Sequence, residues 1–447
     1  MAEQNLVFRT VNSVVNAHYA WYIVAMGTTL QLTTNFVSQA FAILLVVMRD
    51  NYGWSLTAIV LAYSIRNVIG AVMSPWAGSM GDRYGAKKVM LVGAAFFMGG
   101  LMLLATITAI WQLFLYYSLI LGIAQAMFRV NIPTTVAAWF KRKLGVAVGI
   151  QQSAGGMGAS ILAPGLAVLL TQTSWQTAFL LIGSCGGAFV FLLLAFFHSE
   201  PADRGKQPYG ADDDGKSPVA AFSGAMAKVR SKVFMEHARK TRAFWFLPLV
   251  HHLGCVGHAI VIVHGVNYAT HKGVTLEAAT FIISIYSITS IGSRFVVPIL
   301  ADRLGSKGVM ALFYLLQGLS VVMLFWTQDP WQFYLFAAIF GIGFGGEMSA
   351  FLVVNRQYYG MGPVRTVFGF QSMGAGLGMA LGGLIGSVIY DVFGSYDLAW
   401  VVSLVASLGG VVGILSMEST KRELIPDWEG SLPEEARTPT AEPSLAD

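Results

Sequence analysis

The sequence predicts an all-α membrane protein in which twelve transmembrane helices form two pseudo-symmetric six-helix bundles. Three observations lead there: an apolar composition, twelve apolar runs of spanning length, and an internal repeat at one constant offset. Of 447 residues, 55% are hydrophobic and 11% charged, with a mean hydropathy of +0.63. Soluble domains carry about 25% charged residues, so a chain this apolar needs lipid as its solvent. A net charge of +5 and a pI near 9.1 could point to nucleic acid. The positions of the charges exclude it, because they cluster in short connections between apolar runs, as membrane topology requires. Cys185 and Cys255 lie in apolar runs without metal-ligand spacing and read as small core residues. Residues 1–19 lack an apolar signal core, so no cleavage is expected.

A span needs roughly 20 mostly apolar residues. Such runs fall at 20–47, 55–80, 88–107, 111–138, 144–171 and 176–197, then at 243–269, 276–300, 306–327, 331–357, 364–390 and 397–416. Only a helix satisfies the backbone over such a length in lipid. The expected organisation is a first bundle (1–198), a cytoplasmic linker (199–242), a second bundle (243–417) and an acidic, proline-bearing tail (418–447) that is expected to be disordered. In the linker, Ala221–Lys240 reads as an amphipathic surface helix, with Phe222, Met226, Val229, Val233 and Met235 near one face. Of the 28 Lys and Arg residues, 23 sit on one set of connections, against Arg49 and Lys272 on the other. The positive-inside rule then puts the linker and both termini in the cytoplasm, for a protein of the cell inner (plasma) membrane.

The halves align at an offset of 220 residues. Gly81-Asp82-Arg83-Tyr84-Gly85 matches Ala301-Asp302-Arg303-Leu304-Gly305, Trp111-Gln112 matches Trp331-Gln332, and Gly149, Gln151, Gly156 and Gly158 match Gly369, Gln371, Gly376 and Gly378. Carriers built from such repeats hold their substrate near the midplane, between the halves. The loop Gly78-x-x-x-Asp82-Arg83-x-Gly85-x-Lys87-Lys88, with its degraded copy Asp302-Arg303-x-Gly305-x-Lys307, resembles the signature of the major facilitator superfamily. That resemblance implies a charge cluster that latches the outward-facing state and breaks as the halves rock, with Asp82 and Arg83 in the latch.

An ionisable side chain inside a span is costly and usually faces a wet cavity. Besides histidine, four fall there: Arg66, Arg129, Arg294 and Glu347. Three cations against one acid favour an anionic cargo, and the planar guanidinium grips carboxylate in a bidentate fork. Glu347 is the offset equivalent of Met127, near the depth of Arg129, so an Arg129–Glu347 pair across the cavity is expected, either as a proton switch or as a structural ion pair. Four histidines mark span 7 (His251, His252, His258 and His264), and His258 is the candidate for proton coupling. Asn35, Gln39, Tyr63, Gln151, Tyr286 and Gln371 would shape the cavity. The glycines of spans 5 and 11 lie inside helices without a following Lys-Ser/Thr, so they read as helix packing rather than phosphate loops.

Ile291-Gly292-Ser293-Arg294 and the segment from Trp139 to Gly149 resemble monocarboxylate transporters and oxalate–formate antiporters. The resemblance implies that Arg294 holds the substrate carboxylate. The chain departs from the pattern in three places: Ser290 stands where the mammalian-type carriers have an aspartate, Gln39 where they have a lysine, and span 11 has Gln371 but no lysine. The coupling residues of those families therefore do not transfer. Arg66 with Arg294 is similar to the arginine pair of nitrate carriers, without their glycine-rich signature. The reading is a proton-coupled monocarboxylate symporter working as a monomer, without cofactor or metal. An organic anion exchanger and a transporter-like receptor are the alternatives.

Overall fold

The computed structural model describes residues 18–39, 41–155, 169, 172–211, 222 and 224–438. Among these residues the chain is helical, and nine helices are long and apolar enough to cross a membrane. A bent pair makes ten. The first expected span covers α1 (Tyr19–Gln39) and α2 (Phe41–Tyr52), with residue 40 between them outside the described residues. The second is the bent pair α3 (Leu56–Val72) and α4 (Ser74–Tyr84), whose axes turn by 41°. The bend has a local cause. Pro75 has no N–H to return to the preceding turn, and its ring pushes the chain aside. Next come α5 (Ala86–Leu104) and α6 (Ile110–Ala138). Of the fifth span only its start, α7 (144–155), lies within the described residues. The first half ends with α8 (Trp175–Phe196).

Linker helix α9 (Gly224–Ala238) leads to α10 (Arg242–His271), α11 (Leu276–Leu304), α12 (Ser306–Phe325), α13 (Pro330–Tyr359), α14 (Arg365–Phe393) and α15 (Asp397–Ser416). Thr241 and Thr275 start α10 and α11 as N-caps, each side chain accepting an amide from three residues on. The 220-residue offset holds in the caps of α6 and α13. Gln112 accepts the Thr108 and Ala109 amides at 2.6 and 3.0 Å, and Gln332 accepts those of Gln328 and Asp329 at 2.7 and 3.0 Å. Small residues set the tightest helix contact. Gly374, Gly378, Gly382 and Gly386 recur every fourth residue on α14, where any Cβ would run into Pro248, His252, Val256 or His264 of α10.

Two expectations are corrected. The linker helix is not a bare surface helix. Its buried residues are Ser231, Phe234, Met235 and Ala238; of the expected face, Met226, Val233 and Met235 pack inward, whereas Val229 is 39% exposed. In the tail, expected to be disordered, the described residues 418–438 pack against the linker helix. Trp428, Leu432 and Ala436 repeat every fourth residue and are buried, and Trp428 meets Phe234 edge-on at 5.2 Å. An acidic composition concealed this apolar stripe.

Candidate functional site: the interface between the halves

At the basic end, where the Lys- and Arg-bearing connections gather, the two halves are tied together. Asp82 at the end of α4 caps the start of α14. Its carboxylate accepts the Arg365 amide at 3.2 Å, the Thr366 amide at 2.8 Å and the Thr366 hydroxyl at 2.6 Å. Asp302 at the end of α11 accepts the Gly145 amide of α7 at 3.0 Å. A carboxylate at a helix start meets both orphan amides and the positive end of the dipole. Arg356 ties the opposite kind of terminus. It donates to the carbonyls of Ala137 at 2.6 Å and Phe140 at 3.0 Å, where α6 ends. Gly78 and Gly145 permit this closeness, since a Cβ at either would overlap the backbone carbonyl of Arg365 or Pro298 in the other half.

Arg83, expected in the latch, is exposed, as are Lys88, Asp302 and Arg303. The cation beside Asp82 is instead Arg365, 3.7 Å away, which also holds Glu200 at 3.1 Å. Gly85 and Gly305 carry φ of 90° and 93°, the left-handed turn that ends α4 and α11 and is strained for other residues.

Deeper in, the arginines separate. Arg66 is buried inside the first half. It donates to Tyr117 at 2.8 Å and to Gln125 at 3.1 and 3.2 Å, and lies 5.9 Å from the Tyr63 ring centre. Arg129 and Arg294 instead reach the opposite half. A Cβ at Gly376 of α14 would stand 3.5 Å from Arg129 Nη1, and one at Gly155 of α7 would stand 3.4 Å from Arg294 Nη1. Each arginine thus reaches a glycine of the opposite half. Arg294 lies 5.0 Å from the centre of the Phe344 ring, and its buried Nε has no hydrogen-bond partner among the described residues.

The expected Arg129–Glu347 pair is not formed. Glu347 Oε1 lies 2.9 Å from His258 Nδ1, and both side chains are fully buried. Glu347 Oε2 has no partner among the described residues. Glu347 is turned towards α10, where its Oε1 meets His258. The other histidines of α10 have different work. His252 and His264 bond the Gly374 and Gly383 carbonyls at 3.1 and 2.9 Å, and His251 stacks on Phe351 at 3.9 Å.

Cys255, His258 and Glu347 offer donor atoms within 4.8 Å of one another. His258 spends Nδ1 on Glu347, while its Nε2 abuts Met379 Sδ at 2.9 Å. The set therefore suits a shared proton better than a cation. Among the polar positions, Gln151 bonds Gln31 across the first half. Gln371 forms a reciprocal amide pair with Asn355 at 2.8 and 2.9 Å. Tyr63 stacks on Phe41 at 4.5 Å, and Tyr286 meets Phe340 edge-on at 6.2 Å. Asn35 is half-buried, and the side chain of Gln39 lies outside the described residues. Arg356, Arg365 and Asn355 escaped the sequence reading. The two arginines read as ordinary topology charges, and nothing but the repeat of Gln151 by Gln371 marked that neighbourhood.

A family model described as the Major Facilitator Superfamily matches residues 26–359 and 259–442. The oxalate:formate antiporter of Oxalobacter formigenes is 23% identical over 392 residues, covering 87% of this chain and 88% of its own. Human monocarboxylate transporter 11 is 25% identical over 346 residues, covering 74% and 68%, and human monocarboxylate transporter 2 is 21% identical over 345 residues, covering 74% and 72%. With a repeat that reappears in its helix caps and cross-half ties, and with that family model matched across both halves, the chain belongs to the Major Facilitator Superfamily and is a multi-pass membrane transporter, not an enzyme.

Proposed function

We propose that the protein carries a small monocarboxylate of the lactate, pyruvate or acetate kind together with a proton, by alternating access between its halves. One observation carries this reading: Arg294 reaches across the interface between the halves with a buried Nε that has no hydrogen-bond partner among the described residues, while Glu347 is engaged by His258. A guanidinium held this way attracts a carboxylate strongly, because little water competes. Arg129 reaches across the same interface from the other half. The His258–Glu347 pair supplies the coupling. Adding a proton to it removes negative charge near Arg294, so proton and anion favour each other's binding. The favour is reciprocal by linkage. The ties at Asp82, Asp302 and Arg356 hold the basic end shut and must break for the site to open there. The density of Lys and Arg puts that end in the cytoplasm of an inner-membrane protein, with the two bundles at 1–198 and 243–417 rocking as monomeric machinery.

A dianion exchanger is the second reading, favoured by two arginines reaching across the interface from opposite halves. Reconstitution separates them. Labelled lactate and oxalate are offered to proteoliposomes with and without an inward proton gradient. Gradient-driven lactate uptake that vanishes in Arg294→Ala supports the symporter. Oxalate uptake that requires internal anion moves the reading to exchange, and uptake of neither anion refutes both.

A further inference from the structure

The basic end encloses a cavity of about 1110 Å³ that the transport reading leaves unused. It is walled by the α4–α5 connection, the end of α6, the linker from His198 onward, the α13–α14 connection and Thr438 of the tail. Its cations come from both halves and the linker. The first half gives Arg83, Lys87 and Lys88, the linker Lys206 and Arg230, and the second half Arg356 and Arg365. Against these seven stand, among the described residues of the wall, Asp82, Glu200 and Asp203, all three engaged, while Arg230 is paired with Glu429. Asp82 caps α14, Glu200 holds Arg365, and Asp203 accepts the Glu200 amide at 3.0 Å. Arg83 and Lys88 are exposed and enter no ion pair among the described residues. Arg365 is 5% exposed, and its Nε has no hydrogen-bond partner among the described residues. His198, on the wall, has its pKa lowered by burial and then by Lys87 and Arg204, which agrees with a positive local field.

A walled space with surplus cations concentrates anions. This one exceeds the ~300–1,000 Å³ of an ordinary small-ligand pocket, far more than one monocarboxylate fills. Clustered guanidinium and ammonium groups suit phosphate oxygens. We propose that the cavity binds a phosphorylated polyanion, either the headgroup of an anionic lipid or a soluble polyphosphate, and so locks the basic end closed. The ligand touches both halves, the linker and the Thr438 stretch of the tail together, an arrangement that exists only while the ties are made. It therefore binds that state and shifts the population towards it.

The test is direct binding, so its failure leaves the cargo reading intact. Inorganic tripolyphosphate is titrated into the full-length protein in phosphatidylcholine nanodiscs, followed by calorimetry and by melting temperature. Saturable binding, a rising melting temperature and weakening with salt are expected. The double variant Lys88→Gln, Lys206→Gln should bind at least about tenfold more weakly, from two lost charge-assisted contacts. Lys421→Gln, Arg422→Gln, outside the cavity wall, should bind as the parent does. In phosphatidylglycerol nanodiscs, blocked tripolyphosphate binding identifies the lipid headgroup as occupant, and unchanged binding identifies a soluble polyphosphate. Absence of saturable binding in phosphatidylcholine, or equal affinity in the Lys88/Lys206 variant and the parent, overturns the proposal.

Discussion

The basic end and the centre of the molecule treat the internal repeat in opposite ways. At the basic end, Asp82 and Asp302 are 220 residues apart and bind helix starts, Arg365 and Gly145, that are also 220 apart. At the centre the equivalents diverge. Arg294 corresponds to Ser74, Glu347 to Met127, Arg129 to Ser349, His258 to Ser38 and Arg66 to Tyr286. The two tasks explain the contrast. Two halves that rock against each other need matched ties, so that neither closes alone. In the proposed symport, a site that holds both anion and proton needs unlike charges on its walls. Symmetry therefore marks the moving parts and asymmetry marks the cargo.

The sharpest attempt to break this contrast makes the centre symmetric. Arg294→Ser installs the residue of the equivalent position, and uptake should fall at least about 100-fold, the loss of a buried charge-assisted fork worth about 3 kcal/mol. Arg294→Lys should recover part of it, since the charge returns without the planar fork. Initial-rate uptake in proteoliposomes measures both. Near-parental transport by Arg294→Ser would leave the central asymmetry without function.

Next in size is a block at the basic end. Gly78→Val puts a branched side chain against the Arg365 backbone, where there is no space for even one carbon. Overpacking of this kind costs about 1–3 kcal/mol, so transport should fall roughly tenfold or more. Labelling of a cysteine placed between the halves, with a reagent added from the basic side, should rise. If labelling is unchanged, the close contact at Gly78 is not what shuts that end.

How much of this was legible beforehand follows the same division. The ties could be anticipated because they leave marks in sequence: Asp82 with Gly85 and Asp302 with Gly305, repeated at one offset, and Gly78 where the backbones approach. The central partners could not. Hydropathy and offset give depth along a helix, whereas His258 finding Glu347 depends on how α10 and α13 are rotated. Four other histidines on α10 offered the same composition. Arg365 was hidden for another reason: a cation at the end of a connection reads as topology, and its role rests on Asp82 arriving from 283 residues away. The tail misled because the spacing of Trp428, Leu432 and Ala436 lies within an otherwise polar stretch.

The two aspartate caps should be alike in kind and unequal in strength. Asp82 accepts three hydrogen bonds beside a guanidinium, while Asp302 is exposed and accepts one amide from the opposite half. A helix N-cap is worth about 1 kcal/mol. Asp82→Ala should therefore shift the balance away from the closed basic end by about fivefold to tenfold, and Asp302→Ala by less. Spin-label distances across that end report the ratio. Equal effects would mean that the caps, and not Arg365, set the strength of the latch.

The linker–tail contact has no counterpart in the first half, so it should be the weakest part of the closed end. Arg230 donates to Glu429 and to the Ala436 carbonyl at 2.6 Å, and lies over the Trp428 ring at 5.0 Å. Burial works against the Glu429 charge, yet the hydrogen bonds from Arg230 and Thr438 prevail and lower its pKa below the ordinary carboxylate value. The sign follows. A carboxylate depressed in the folded state contributes stability above its unfolded pKa of about 4.3, and that contribution is lost as pH falls through the lower folded value. Both side chains are partly exposed, at 12% and 30%, so the pair is worth under about 1 kcal/mol. Proteolysis between residues 418 and 438 should stay slow at neutral pH and quicken severalfold below about pH 4. Glu429→Gln should raise the neutral rate towards the acid one while leaving the Asp82 and Asp302 ties intact. A Glu429→Gln tail as resistant as the parent's would assign its anchoring to Trp428 alone, burial without charge.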